Sequence, residues 1–123
     1  MRKSLTPLGE TEMEVLHHVW NMKKASVSEV HEEIRKTRKV AYTTIMTVMK
    51  KLGEKGYLKY EKQGVTYIYS PAQEPETVKH NLLNNLLQKV FKGSPMAMMQ
   101  TLVQNETISG DEIDEIKKMI GDM

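Results

Sequence analysis

Residues 42–69 change from a helical to an extended pattern at Gly56, and this change constrains the fold more than any other feature of the sequence. Before Gly56, four apolar side chains recur within an arc of about 100° on a helical wheel. They are Ile45, Val48, Met49 and Leu52. After it, two short runs of aromatic and β-branched residues flank Gln63-Gly64. The pattern predicts a helix over about 42–55, ended by a left-handed Gly56, and then a β-hairpin.

Two more helices are predicted before this one. Thr6 offers an N-cap hydroxyl and Pro7 an N1 proline at the start of the first helix. Its apolar face consists of Val15, Leu16, Val19 and Trp20. Ser26 and Glu29 have the spacing of a capping box for the second. Its buried stripe consists of Val27, Val30 and Ile34. Three helices and a hairpin within residues 1–72 are the layout of a winged helix-turn-helix domain, whose third helix enters the DNA major groove.

The distribution of charge agrees with this layout. Residues 1–72 carry 13 Lys and Arg against 8 Asp and Glu, whereas residues 73–123 carry 5 against 8. Within the first part, residues 35–62 hold nine basic residues and two acidic ones. A local excess of positive charge attracts polyanions, although a solvated face without a ligand can have the same composition.

The helix over 42–55 has a polar side that suits contact with DNA. Three threonines in five residues are a poor choice for helix stability alone, but their hydroxyls and methyls match base edges and thymine methyls. Lysines on the helix and hairpin flank them, where phosphates would pass. The predicted DNA-binding residues are Thr43, Thr44, Met46, Thr47, Lys50, Lys51, Lys55, Lys59 and Lys62.

Residues 73–123 are predicted to form a helical dimerisation domain. Apolar residues recur at helical spacing, residues 92–95 break the pattern, and Ser109 with Glu112 forms a second capping box. Some 50 residues in short amphipathic helices cannot enclose these apolar faces alone, so a second copy of the chain is the expected partner. The predicted dimerisation residues are Leu82, Leu83, Leu86, Leu87, Val90, Phe91, Met99, Leu102, Ile113, Ile116 and Ile120.

No catalytic residue, metal site or cofactor is predicted. The chain has no cysteine, which excludes thiolate metal sites and thiol nucleophiles. Its four histidines lack acidic partners at ligand spacing, and its seven glycines do not form a phosphate-binding loop. No apolar run approaches the roughly 20 residues of a membrane span, and no apolar segment follows Met1-Arg2-Lys3 as in a secretory signal. A cytoplasmic protein is expected.

Several segments resemble the penicillinase-repressor family of the BlaI/MecI type. LGETEMEVL at 8–16 with Val19-Trp20 is similar to the opening of that family, and residues 41–52 with 55–58 are similar to its third helix and the start of its wing. Residues 89–93 and 111–116 are similar to its dimerisation region. The resemblance covers nearly the whole chain.

This resemblance implies a homodimeric transcriptional repressor on palindromic operator DNA, controlling a β-lactam-resistance-type or related stress operon. It also implies release by a membrane sensor protease that cleaves near Thr101-Leu102. Relatives usually have Asn-Phe at that bond and often arginine or another polar residue at Met46, so the sequence departs from the family at both places.

Two other functions are compatible with the same fold. One is a winged-helix adaptor that binds protein and no DNA, since a fold does not determine a function. An adaptor function does not explain the basic stretch at 35–62 or the threonines at 43, 44 and 47. The other is a regulator with a small-molecule pocket, which a sequence cannot reveal.

Overall fold

The computed structural model of the protein describes residues 8–123, so the predicted cap at Thr6-Pro7 lies outside the described residues. The elements within this range are α1 (Glu10–Met22), β1 (Ala25–Ser26), α2 (Val27–Arg35), α3 (Tyr42–Glu54), β2 (Leu58–Gln63), β3 (Thr66–Pro71), α4 (Pro75–Phe91), α5 (Pro95–Gln104) and α6 (Gly110–Gly121). The chain divides into two compact units after Leu82. The fold class predicted from the sequence, mainly α with a small β-hairpin, is confirmed.

The core of the first unit is built from the apolar stripes of α1, α2 and α3. The side chains predicted for it are buried, with Val48 and Trp20 half-buried at its edge. The start of α4 adds the buried Val78 and the half-buried Leu82 to the same core. The division therefore lies ten residues after the predicted boundary between 72 and 73. Leu82, predicted as a dimerisation residue, packs against the first unit because α4 continues that unit's core.

A three-stranded antiparallel sheet with the order β1-β3-β2 completes this unit. The predicted hairpin is present, and Gln63 pairs with Thr66. The two-residue loop is therefore Gly64-Val65, one residue later than predicted, and Gly64 supplies the positive φ (64°) at its first position. The hairpin of β2 and β3, residues 58–71, is the wing of this unit. Strand β1 was not predicted; Ala25 pairs with Tyr69 and connects the start of α2 to the wing.

Local signals set the helix ends as the sequence indicates. The Ser26 hydroxyl oxygen accepts a hydrogen bond from the Glu29 N–H (3.1 Å), and the Glu29 carboxylate accepts one from the Ser26 N–H (2.8 Å). Ser109 and Glu112 form the same reciprocal pair at α6. Gly56 has a φ of 88° after α3, so the predicted left-handed end of that helix is confirmed.

The second unit contains the end of α4 with α5 and α6. Within the described chain, α5 and α6 bury no side chain. Its large exposed apolar residues are Leu83, Leu86, Val90, Met96, Val103, Met119, Ile120 and Met123. The remaining predicted dimerisation residues, Leu87, Phe91, Met99, Leu102, Ile113 and Ile116, are half-buried. None of the described helices has both the length and the apolar character that a membrane crossing requires.

Candidate nucleic-acid interface

Helix α3 has one buried and one exposed face. Ile45, Met49 and Leu52 are fully buried and fasten the helix to its own unit. The opposite face is exposed, as predicted. It consists of Thr43, Thr44, Met46, Thr47, Lys50 and Lys51. The first two turns therefore present hydroxyls, methyl groups and a thioether, and the following turn presents two ammonium groups.

An open groove of about 1270 Å³ lies beside this face, between α3, the wing and the start of α2. Thr47 and Lys50 line it from α3, and Lys59 and Lys62 line it from the wing. The N-terminus of α2, at 26–28, forms another part of the wall. The Glu29 carboxylate, which accepts from the Ser26 N–H, offsets the partial positive charge of that helix end, and Glu54 contributes a second negative group.

Tyrosines of the wing, which were not predicted as binding residues, line the same groove. The Tyr60 and Tyr67 rings are stacked, with centroids 4.7 Å apart and an interplanar angle of 17°. Tyr69 lies directly opposite Tyr60, at 5.6 Å between centroids. The Lys62 Nζ lies 6.0 Å from the centroid of the Tyr67 ring. The sequence does contain a signal for this cluster. Residues 60 and 62 are two apart on β2, and residues 67 and 69 are two apart on β3, so each strand points both of its side chains to one face of the hairpin.

Four of the nine basic side chains counted in residues 35–62 are held by acids outside that stretch. The ion pairs are Arg35–Glu32, Lys36–Glu33, Arg38–Glu14 and Lys55–Glu12, with N–O distances of 2.7 to 2.8 Å. The other five form no ion pair with any residue the structure describes. They are Lys39, Lys50, Lys51, Lys59 and Lys62. The positive potential therefore comes chiefly from α3, the wing and the loop before α3.

Lys55, which the sequence predicts to bind DNA, forms an ion pair with Glu12 of α1. Its ammonium donates to both carboxylate oxygens of Glu12, at 2.8 and 3.0 Å. Burial raises the pKa of Glu12, but the hydrogen bonds from Lys55 and the Gly9 N–H, together with the charges of Lys55 and Lys51, outweigh it and hold this pKa below the ordinary glutamate value. Within the described part of the protein, the charge of Lys55 is therefore already paired, unlike the charges of Lys50 and Lys51 on the same helix.

The predicted cleavage pair lies inside a regular helix. The Thr101 carbonyl accepts hydrogen bonds from the Asn105 backbone N–H (3.2 Å) and from its side-chain amide (2.8 Å), while the Thr101 hydroxyl donates to the Ala97 carbonyl (3.1 Å). The bond between Thr101 and Leu102 is thus in the last turns of α5.

Over residues 8–123, no group of three or more His, Asp or Glu side chains is placed to hold a metal ion.

Three packed helices, a β wing and a cationic groove between them define a winged-helix protein of the kind that binds DNA. The sequence profile of the family described as penicillinase repressor matches residues 8–122, so the chain belongs to the penicillinase repressor family. The resemblance noted from the sequence is therefore confirmed.

Relatives and a solved structure agree with this assignment. The chain is 29% identical over 113 residues to the methicillin resistance regulatory protein MecI of Mammaliicoccus sciuri, covering 92% of each chain. It is 30% identical over 121 residues to the transcriptional regulator BlaI of Mycobacterium tuberculosis (strain CDC 1551 / Oshkosh), covering 97% of this chain and 86% of that one. The monomeric form of Bacillus licheniformis BlaI, solved in complex with the blaP half-operator, matches with a TM-score of 0.50 and 28% identity, covering 58% of this chain and 87% of that chain.

Proposed function

We propose that this chain is a sequence-specific transcriptional repressor that binds a palindromic operator as a homodimer in the cytoplasm. The proposal rests on the two opposite faces of α3. Ile45 and Met49 are buried on one face, and Thr43 and Thr47 are exposed on the other, beside a cationic groove. The similarity to a BlaI structure that contains half-operator DNA supports the same function.

The groove suggests how the DNA is contacted. An α-helix with its side chains is about 10–12 Å wide and fits the major groove, which is about 12 Å wide. With α3 in the DNA major groove, Thr43, Thr44 and Thr47 face base edges, and Met46 offers an apolar contact to a thymine methyl. The unpaired lysines of α3 and the wing then lie where the phosphates pass, and their contacts are independent of base sequence.

The exposed apolar residues of the second unit support the proposed homodimer. Leu83, Leu86 and Val90 recur on the end of α4 and are all about half exposed or more. Such a row is unfavourable in water and is covered when a second copy packs on it. A twofold symmetric dimer places two copies of α3 on half-sites related by the same symmetry, which is why the operator is proposed to be palindromic.

The proposed regulated genes are a β-lactam-resistance-type or related stress operon, in line with the similarity to a protein named for methicillin resistance. A membrane sensor protease that cleaves at Thr101-Leu102 is the proposed means of release. Because proteases bind extended chain, cleavage requires the last turns of α5 to unwind, and α5 ends close by at Gln104.

Fluorescence anisotropy with two labelled duplexes tests the proposal. One duplex carries the region upstream of the chain's own coding sequence, and the other is a scrambled duplex of the same length and base composition. A repressor binds the first at nanomolar concentration, about 10³-fold or more tighter than the second. Equal affinity for both duplexes would contradict sequence-specific repression, and binding to neither would favour the protein-binding adaptor.

A further inference from the structure

The start of α3 lacks a cap of its own. The N-cap residue is Ala41, whose methyl group cannot accept a hydrogen bond from the first turn, unlike the serines that begin α2, α5 and α6. Thr43, Thr44 and Thr47 follow within the next two turns. The direction of this end of the helix, and with it the position of the threonines, must therefore be set by contacts from elsewhere in the unit.

His31 of α2 supplies two such contacts. Its Nε2 lies 2.8 Å from the carbonyl oxygen of Val40, the residue before the N-cap. A carbonyl oxygen only accepts hydrogen bonds, so Nε2 carries the proton and donates. The same ring forms a T-shaped contact with the ring of Tyr42, the first residue of α3, with centroids 5.6 Å apart and an interplanar angle of 87°. His31 therefore contacts the chain on both sides of Ala41.

We infer that His31 is a positioning residue for operator recognition, acting through Val40 and Tyr42 on the placement of the α3 threonines. This inference rests on the proposed function. The His31 side chain is half-buried against the connection between α2 and α3. Without the hydrogen bond, the Val40 carbonyl has no side-chain partner within residues 8–123, and the start of α3 can shift relative to the wing. Base contacts require correct geometry, whereas contacts between lysines and phosphates tolerate a shift.

Two substitutions separate the hydrogen bond from the ring. His31→Gln places an amide N–H close to the position of Nε2 and so keeps a donor for Val40. His31→Phe keeps a ring against Tyr42 and removes the donor. His31→Met, which also lacks a donor but adapts to its surroundings, replaces the phenylalanine variant if that variant does not fold. Each is made in the full-length chain.

The readout is the ratio of two affinities. The wild-type chain first selects a duplex from a random library, and anisotropy then measures each variant on that duplex and on a scrambled one. We expect His31→Phe to weaken binding to the selected duplex about tenfold, which corresponds to about 1.4 kcal/mol. Binding to the scrambled duplex should change less than about twofold, because phosphate contacts dominate it. His31→Gln should recover most of the affinity for the selected duplex.

His17→Phe is the matched control. His17 lies on α1, and its ring also meets another aromatic ring edge-on, that of Trp20, at 5.2 Å and 89°. The substitution is therefore of the same kind, but away from the start of α3. It should leave both affinities unchanged.

The outcomes separate this inference from the function on which it rests. If the wild-type chain selects no preferred duplex, the proposed function fails and the inference fails with it. If the wild type selects a duplex and His31→Phe keeps the wild-type ratio, the inference alone is overturned. A parallel loss on both duplexes, or a glutamine variant no better than phenylalanine, would show that His31 only stabilises the unit and would also overturn it.

Discussion

Lys55 and Glu12 form an ion pair that joins the end of α3 to the first turn of α1, with Nζ 2.8 Å from Oε2 and 3.0 Å from Oε1. The two side chains are only 24% and 14% exposed, so water screens this pair less than the other ion pairs of the described chain. A second pair, Arg38–Glu14 at 2.8 Å, joins the loop before α3 to the same helix. Helix α1 thus holds the chain at both ends of α3.

Removing the charge of Glu12 should destabilise the protein in a pH-dependent way. Glu12→Gln keeps an acceptor for the Gly9 N–H but loses the attraction to Lys55, which should lower the free energy of unfolding by about 1 kcal/mol at neutral pH. Because the folded-state pKa of Glu12 is lowered, its stabilisation is present above the ordinary glutamate pKa and is lost as pH falls through the folded-state value. Urea denaturation of both proteins over this range measures the difference.

The control for this prediction is Glu76→Gln, which removes a partner from the exposed Lys79–Glu76 pair. Exposed pairs contribute little, so this change should stay within about 0.5 kcal/mol at every pH. A Glu12→Gln effect that is the same at neutral and acid pH would contradict the assigned role of the ion pair.

Truncation of Lys50 and truncation of Lys55 should affect DNA binding differently, although both lysines were predicted from the sequence to bind phosphate. Lys50→Ala should weaken binding to all duplexes and reduce the slope of log affinity against log salt by about 0.9, the value for a single phosphate neutralised by one lysine. Lys55→Ala should lower stability and leave that slope unchanged, because Glu12 already neutralises the charge. Anisotropy titrations at several salt concentrations measure both slopes. Equal slopes for the two variants would place Lys55 in the interface after all.

Thr44→Ala should affect base discrimination instead of general affinity. If the hydroxyl reads a base edge, binding to the operator weakens by about 1–3 kcal/mol and the preference relaxes at one operator position. Repeated selection from a random duplex library, with wild type and variant, shows which position changes. Thr77→Ala, at an exposed site on α4, controls for the gain in helix propensity that accompanies Thr→Ala. An unchanged selected sequence for Thr44→Ala would remove this residue from the proposed interface.

The parts of the fold that short-range signals encode were predictable. Helical spacing alone identified the buried residues of α2, because 3.6-residue periodicity needs no tertiary information. Ser26 with Glu29 identified the start of that helix, since both partners of the box lie within one turn. Gly56 likewise marked the end of α3 by its own conformational freedom.

Features that depend on distant pairing were not predictable in the same way. Strand β1 has two residues, too few to show any alternation, and it exists because β3 pairs with it. The ion pairs of Arg38 and Lys55 join residues 24 and 43 positions apart, so a count of charges in one stretch overstated its free positive charge. The boundary after Leu82 falls inside α4, one continuous helix that leaves no composition break to mark it.

The proposed dimer can be tested on α4 itself. Leu86 is 47% exposed and Leu87 is half-buried. Burying the remaining exposed part of both side chains on each of the two protomers is worth about 3 kcal/mol or more, a change of more than about 100-fold in the dimer dissociation constant. Replacing both with glutamine, a good helix former, should give monomers by analytical ultracentrifugation and poor binding to the full operator, with helix content retained by circular dichroism. Lys89→Gln on the same helix should stay dimeric. A double variant that sediments as a dimer at the wild-type concentration would refute the assignment of this surface.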